Sequence, residues 1–466
     1  MQQASSLVRS SFLKYPSLVA YVAASFLPVA VHADDLVTWG RNDSGKLGNN
    51  TISFGSFSSA PIPVLNFSGG VSAVAVGESH TLAIRDGGLF AWGSNGSRQL
   101  GNTSVNSSTV VPVPVAGLGS GVTAIAAGRL YSLAVVNGAA YAWGYNWNGQ
   151  LGNGESGHGI NSPEPVAVIG LSSGVTAVAG GGYHSLAIRN GAAYAWGNNS
   201  HGELGNGTLL DSNVPVAISA LPDGVTAISA ASQHNLAVRN GAAYAWGDDF
   251  YGELGNGPDL DDSRVPMVVS GLSNSVTAVA AGVNHSLAIR HGNVYAWGLN
   301  SNGQLGDGTR RASEYPIMVL DTPVPFIAVF AGDVCSFALS ADGSIWSWGY
   351  NNDGRLGLGF DGPSQILPQR ILPPSGYKFV AITAHAYGDH AAAILQPLAP
   401  PCPADLNADT FVDDSDFVLF LAAYNILDCA DPSMPSACPA DFDQSGTVDD
   451  TDFVLFVPAY NELVCP

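Results

Sequence analysis

Two twelve-residue stretches near the C-terminal end carry the residue types and spacing that bind a hard cation. Asp405, Asn407, Asp409, Phe411 (through its backbone), Asp413 and Asp416 stand at positions 1, 3, 5, 7, 9 and 12 of the first. Asp441, Asp443, Ser445, Thr447 (through its backbone), Asp449 and Asp452 hold the same positions in the second. Calcium takes six to eight oxygens, and a loop with oxygens at those positions supplies them. The expected cofactor is therefore Ca2+. Gly446 provides the turn at position 6 of the second loop, whereas Thr410 stands there in the first. A non-glycine in that turn costs about 1 kcal/mol, so the first site is expected to be the weaker. Without metal the clustered carboxylates repel, so calcium is expected to order the segment.

Each loop runs into the same apolar tetrapeptide, Phe417-Val418-Leu419-Phe420 and Phe453-Val454-Leu455-Phe456, which reads as a helix start. Pro458 should kink the second of these helices. Residues 402–466 hold twelve Asp, one Glu and no Lys or Arg. Four of the five cysteines, Cys402, Cys429, Cys438 and Cys465, lie in this segment. An even set in a short acidic module suggests two disulfides if the protein is exported. Cys402–Cys429 with Cys438–Cys465 would bracket each repeat; Cys402–Cys465 with Cys429–Cys438 is equally compatible. The duplicated loops, each with Asp at position 12 and one following helix, resemble a dockerin module. That resemblance implies docking to a cohesin-type or cell-surface receptor, with Asp414, Ser415, Asp450 and Thr451 at the positions of the family's recognition pairs. The cysteines lie outside the usual dockerin pattern.

What must carry this module is a long repeat. Trp-Gly pairs begin at Trp39, Trp92, Trp143, Trp196, Trp246, Trp297 and Trp348, at steps of 50 to 53 residues. A period of that size means a stacked or circular array. One unit reads Val175–Ala179, His184–Ile188, Ala192–Trp196 and Val214–Ile218, all short runs rich in small and β-branched residues. Asn-Gly at 137–138, 190–191 and 240–241 favours a two-residue hairpin turn, and Asp86-Gly87, His291-Gly292 and Asp342-Gly343 do the same less ideally. Four strands per unit is a propeller blade. The His-Ser-Leu-Ala strand recurs at His80, Tyr131, His184, His234, His285, Cys335 and His390. The last of these has no Trp-Gly strand after it, and Val37-Thr38-Trp39-Gly40 has no such strand before it. The two orphans fit if the first strand completes the last blade.

The expected fold class is an all-β seven-bladed propeller closed by an N-terminal strand, followed by a small α-helical EF-hand-like module. The His-Ser-Leu-Ala strand, the Tyr-Ala-Trp-Gly strand and Gly-Gln-Leu-Gly-Asn-Gly at 149–154 make the array similar to the regulator of chromosome condensation repeat family. The resemblance implies seven blades with one shared between the chain's two ends. That family's best-known member exchanges nucleotide on a small nuclear GTPase and binds nucleosomes. A formal charge of −21 argues against nucleic-acid binding, which needs a basic face.

Residues 1–33 read as a signal peptide, with Arg9 and Lys14 ahead of an apolar run from Leu18 to Val31. The run is shorter than the roughly 20 residues that span a bilayer, so no membrane span is expected in the mature chain. The domains are then 1–33 leader, 34–395 propeller, 396–401 proline-rich linker and 402–466 calcium-binding module. The repeated His and Trp residues read as blade structure, because every blade needs them. No metalloprotease helix, phosphate loop or nucleophile elbow is present. Variation is concentrated after each Trp-Gly: Tyr145 and Trp147 in one blade, Asp248, Asp249, Phe250 and Tyr251 in another, Arg41 and Asp43 in a third. Aromatics on variable loops are favoured binding anchors. Tyr145, Trp147, Asp249, Phe250 and Tyr251 are the expected partner contacts on the ring. The expected function is a secreted or cell-surface binding protein, not an enzyme, whose ring recognises a protein or glycan. The alternative is an extracellular carbohydrate-active enzyme carried by a dockerin.

Overall fold

Every unit of the repeat forms one four-stranded antiparallel sheet, for the reasons its residues suggest. In the blade built from β11 (Val175–Gly180), β12 (His184–Arg189), β13 (Ala192–Gly197) and β14 (Ser212–Ala217), the strands pair in sequence order. β12 is buried along nearly its whole length, as a strand packed on both faces should be. β14 is half exposed and contains Pro215, a residue tolerated only where no neighbour needs its amide. Asn190 and Gly191 have φ of 51° and 79°, the left-handed pair that a tight hairpin requires. The other Asn-Gly pairs, Asp86-Gly87 and His291-Gly292 do the same. Asp342 departs from that expectation: its carboxylate accepts from the Ser344 amide (3.0 Å) and Ser344 hydroxyl instead, and of the pair only Gly343 has positive φ.

The computed structural model describes residues 35–53, 55–320, 325–398, 417–420 and 448. Among them are seven four-stranded sheets. Six are built from consecutive strands. The seventh has the order β2 (Phe57–Ser68), β1 (Asp35–Arg41), β28 (His390–Pro397), β27 (Tyr377–Thr383). β1 pairs antiparallel with β28 from Asp35 opposite Leu395 to Gly40 opposite His390. The closure is thus the expected one, except that two N-terminal strands rather than one complete the last blade. β28 also runs to Pro397, paired with Tyr377, so the first two residues of the expected linker belong to the sheet. The chain divides into two compact units, 1–397 and 398–466. In the second, Phe417–Phe420 are helical. The calcium ligands, the four tail cysteines, Asp414, Ser415, Asp450, Thr451 and the leader lie outside the described residues.

Neighbouring blades are joined by two polar staples. All seven Trp-Gly tryptophans are fully buried. Each indole donates to a carbonyl of the preceding blade, as Trp196 does to Gln150 (2.8 Å) and Trp39 to Arg355 (3.0 Å). The glycine two residues beyond that carbonyl is obligatory: a Cβ on Gly152, at φ +66°, would lie 2.8 Å from the Trp196 indole nitrogen. This explains the Gly-Gln-Leu-Gly motif. The second staple is the repeated histidine. Ser132 donates to the Gln99 carbonyl (2.7 Å), so its oxygen is left to accept from His80 Nε2 (3.0 Å). The imidazole is therefore the neutral Nε2–H tautomer. His234 and His285 reach Ser286 and Ser336 of the next blade in the same way, and His184 reaches Asn235. These histidines are structural, as their recurrence implies.

Candidate recognition face

The inner strands leave small residues facing the axis. A cavity of about 110 Å³ is lined there by all seven blades, including Ala75, Ala126, Ala179, Ala280 and Ala331. Its polar members are Ser229, Thr383 and His385. His385 is buried and pushed down to about 4 by burial, with the Gly180 carbonyl opposing. Beside that neutral imidazole the lining offers only two hydroxyls, so the channel is small and uncharged.

Chemistry gathers instead at one end of the channel, on the short loops between the first and second strand of each blade. Arg129 is the centre. Its Nε donates to Glu78 Oε2 (2.8 Å) and its Nη1 to the Tyr183 hydroxyl (2.6 Å). The guanidinium lies 4.6 Å from the Tyr387 ring centroid and 5.5 Å from that of Tyr183, within range for cation–π attraction. Tyr145 packs on Tyr183 at 6.0 Å, and the Tyr387 hydroxyl meets Ser232 Oγ at 2.5 Å. Five blades thus contribute to one polar and aromatic cluster. Further round, Lys46 pairs with Asp389 and with Asp43, Arg41 with Asp43 (3.0 Å), and Arg355 with Asp333 (3.9 Å).

The long loops after each Trp-Gly surround this mouth. The loops after Trp196 and Trp246 are clasped by His201, whose Nδ1 lies 2.8 Å from Asp262 and 3.6 Å from Asp248. Burial works against its charge, but the Asp262 bond, with Asp262, Glu203 and Asp248, raises it above the ordinary value.

The residues expected to contact a partner divide. Trp147, Phe250 and Tyr251 are 48%, 68% and 37% exposed. Phe250 and Tyr251 sit edge to face at 4.8 Å, and Trp147 against His158 at 5.2 Å. Tyr145 joins the Arg129 cluster. Asp249 is corrected: it is wholly buried, because its position supplies the loop's internal acceptor rather than its surface. The Arg129 cluster itself was missed. Its members sit between the glycine and the histidine strand, as in Gly128-Arg129-Leu130-Tyr131 and Gly181-Gly182-Tyr183-His184. The signal was available, since those two places change from blade to blade while their flanks repeat.

A profile of the RCC1-like domain family matches residues 4–323 and 169–396. The chain belongs to the RCC1-like domain family. It is 30% identical over 354 residues to ultraviolet-B receptor UVR8 of Arabidopsis thaliana, across 73% of this chain and 79% of that one. It is 30% identical over 342 residues to the mitochondrial RCC1 domain-containing protein RUG3 of the same plant, across 70% of this chain and 63% of that one. The crystal structure of Prp20p from Saccharomyces cerevisiae superposes with a TM-score of 0.69 at 22% identity, across 85% of this chain and 96% of that one.

These relatives overturn the expectation of a secreted or cell-surface protein tethered by a dockerin, and with it that of an extracellular carbohydrate-active enzyme. They are an ultraviolet-B receptor and a mitochondrial protein, and Prp20p shares the fold. The physical reason for the error is that an apolar run behind two basic residues is a compositional signal; it does not by itself name a compartment. The RCC1-like ring is the part of the chain on which function can be argued.

Proposed function

We propose that the RCC1-like ring is a protein-recognition module, not an enzyme, and that it binds its partner over the face bearing the Arg129 cluster and the loops with Trp147, Phe250 and Tyr251. The observation that carries this reading is the gathering of one arginine and three tyrosines from three blades around one channel mouth, on a frame otherwise made of near-identical repeats. Arginine and aromatic side chains dominate protein interfaces energetically. That Prp20p has binding properties to Gsp1p and histones supports protein recognition as the kind of task. The test compares capture of partner proteins by the wild-type chain, by Arg129→Ala with Tyr183→Ala, and by a variant of the opposite, hairpin-bearing face, Arg239→Ala with Arg189→Ala. Loss of one specific partner by at least tenfold in the first variant only is expected. Loss in the hairpin-face variant alone would overturn the assignment.

For residues 402–466 we infer two calcium loops of EF-hand-like spacing. The support is the two registered copies, with oxygen ligands at the same six positions. Calcium titration of the full chain followed calorimetrically should show two sites, with the tighter one lost in Asp443→Ala. A chain that binds no calcium at millimolar concentration would end this reading.

A further inference from the structure

One blade breaks the polar pattern that the other six share. Asn42, Asn95, Asn146, Asn199, Asn300 and Asn351 stand three residues after each tryptophan. Each accepts through Oδ1 from the backbone amide five residues on, as Asn199 does from Leu204 (2.9 Å). Each donates through Nδ2 to a carbonyl further along the loop, as Asn199 does to Thr208 (3.1 Å) and Asn351 to Phe360 (3.1 Å). In three blades Nδ2 also donates to a side-chain oxygen seven residues on: Asn49 (3.1 Å), Asn153 (3.2 Å) and Asp307 (3.0 Å). The amide thus ties the long loop to itself from both sides.

The blade with Trp246 has Asp249 in this slot. Oδ1 still accepts from the Leu254 amide (2.9 Å). Oδ2 replaces the amide donor, and it is buried with no hydrogen-bond partner. Asn256, seven residues on, has a buried Oδ1 that is also without a partner. Two acceptors therefore occupy the places where other blades pair a donor with an acceptor. A buried polar atom left in that state is destabilising, and a single hydrogen between the acceptors removes the penalty.

We propose that Asp249 occupies this slot as a neutral carboxylic acid, its proton doing the work of the missing amide, and that loss of the proton loosens the loop presenting Phe250 and Tyr251. A protonated carboxyl has one donor and one free acceptor, the same complement that the slot uses in asparagine. The surroundings favour the neutral form. Burial pushes Asp249 up to about 7 against the Leu254 hydrogen bond, and Asp248, Asp262 and Asp259 push in the same direction. Glu253, on the same loop, is itself pushed up to about 8, by burial first. Among the described residues, the base bonded to this group of acids is His201, which contacts Asp262 and Asp248. The loop is therefore held below neutral pH and released as pH rises through about 7. Its consequence for binding rests on the recognition reading above; the loop behaviour does not.

The test is amide hydrogen exchange of residues 249–262 in the full chain at pH 6 and pH 8, corrected for the intrinsic rise in exchange with pH. No partner is added, so failure here is distinct from failure of the recognition face. A carboxyl at about 7 in the closed loop and at its ordinary value in the open one should make opening roughly tenfold more frequent at pH 8. Asp249→Asn should lower that dependence about tenfold, leaving what Glu253 contributes, and slow exchange at both pH values. Asn199→Asp should introduce the same dependence into residues 199–211. Corrected exchange that is equal at the two pH values in wild type would overturn the proposal, and would mean that Asn256 has rotated its amide towards an ionised Asp249. A dependence in Asp249→Asn as large as that of wild type would overturn it as well, and would assign the titration to Glu253 or its neighbours.

Discussion

Trp39→Ala is expected to destabilise the ring by about 3–5 kcal/mol, the range for removing a large aromatic side chain from a packed core. Trp39 is fully buried, packs edge to face with Phe337 at 6.3 Å, and donates its indole hydrogen to the Arg355 carbonyl. Truncation leaves a cavity and an unpaired acceptor together. The tryptophans of the interior blades are equally buried and make the equivalent indole hydrogen bond, so Trp196→Ala should lose about as much locally. The two differ in how the damage spreads. Trp196 lies on a strand held by hairpin partners that are adjacent in sequence, β12 on one side and β14 on the other. Trp39 lies on β1, whose partner β28 begins at His390, so that register, the packing beneath it and polar contacts such as Trp39–Arg355 and Lys46–Asp389 join the two ends of the ring. Closing so long a loop carries an entropy cost that grows slowly with length, and it must be met at this one seam. Equilibrium unfolding in denaturant should show a single transition for wild type and Trp196→Ala. Trp39→Ala should instead release β1 and β2 first, seen as cleavage between residues 41 and 57 by limited proteolysis under native conditions. Comparable resistance in the two variants would mean that the seam is no weaker than any other blade junction.

The seam illustrates what the sequence made legible and where it stopped. Two unmatched half-patterns, one at Trp39 and one at His390, were enough to place the closure, because strand identity is written in a repeat with fixed internal spacing. The hairpin turns were legible for the same reason: Asn-Gly names a backbone conformation. Phe57–Ser68 was not foreseen as part of that blade, since outer strands are half exposed and their composition is loose. Site residues were harder. The exposure of Trp147, Phe250 and Tyr251 was legible, because an aromatic in a variable loop stands out. Arg129, Tyr183 and Tyr387 belong to different repeats, and only the circular arrangement brings them together. Asp249 was misread because a carboxylate in a loop suggests solvent. Its burial follows from the six asparagines at the same register, a comparison that the repeat allowed but that loop polarity obscured. The tail motif was the clearest chemistry in the chain; the inference to export came from residues 1–33 and drew on composition alone.

The ring should unfold in mild acid, with a midpoint between about pH 4 and pH 5.5, because its inter-blade staples are buried neutral histidines. His80 and His234 are lowered to about 3, and His184, His285 and His385 to about 4, with burial the leading cause in each. His390 is lowered well below its ordinary value, again by burial first, then by Lys46 and two histidines. A group whose folded value lies below its unfolded one contributes stability above the unfolded value and loses it as pH falls towards the folded one. The window therefore runs from about 6.5 down to 3–4. Every tenfold difference in proton affinity between the folded and unfolded chain is worth about 1.4 kcal/mol. Even a heavily discounted sum over six groups therefore reaches the 5–15 kcal/mol that holds a typical domain together. Burial raises Glu203 to about 7 and Glu253 to about 8, and these work in the opposite sense. Their contribution is complete at low pH and lost as pH rises through 7 to 8, so they favour the fold while pH falls from 8 to 6.5, where the histidines are silent. Below 6.5 the histidines outnumber them, and stability should peak near pH 6. All nine tryptophans precede residue 349, so their fluorescence reports on the ring alone during an acid titration. His234→Gln retains a donor towards Ser286 without a titrating nitrogen, and should move the midpoint to lower pH. A wild-type ring still folded at pH 3.5, or a midpoint indifferent to that substitution, would show that the staples tolerate charge and that acid acts elsewhere.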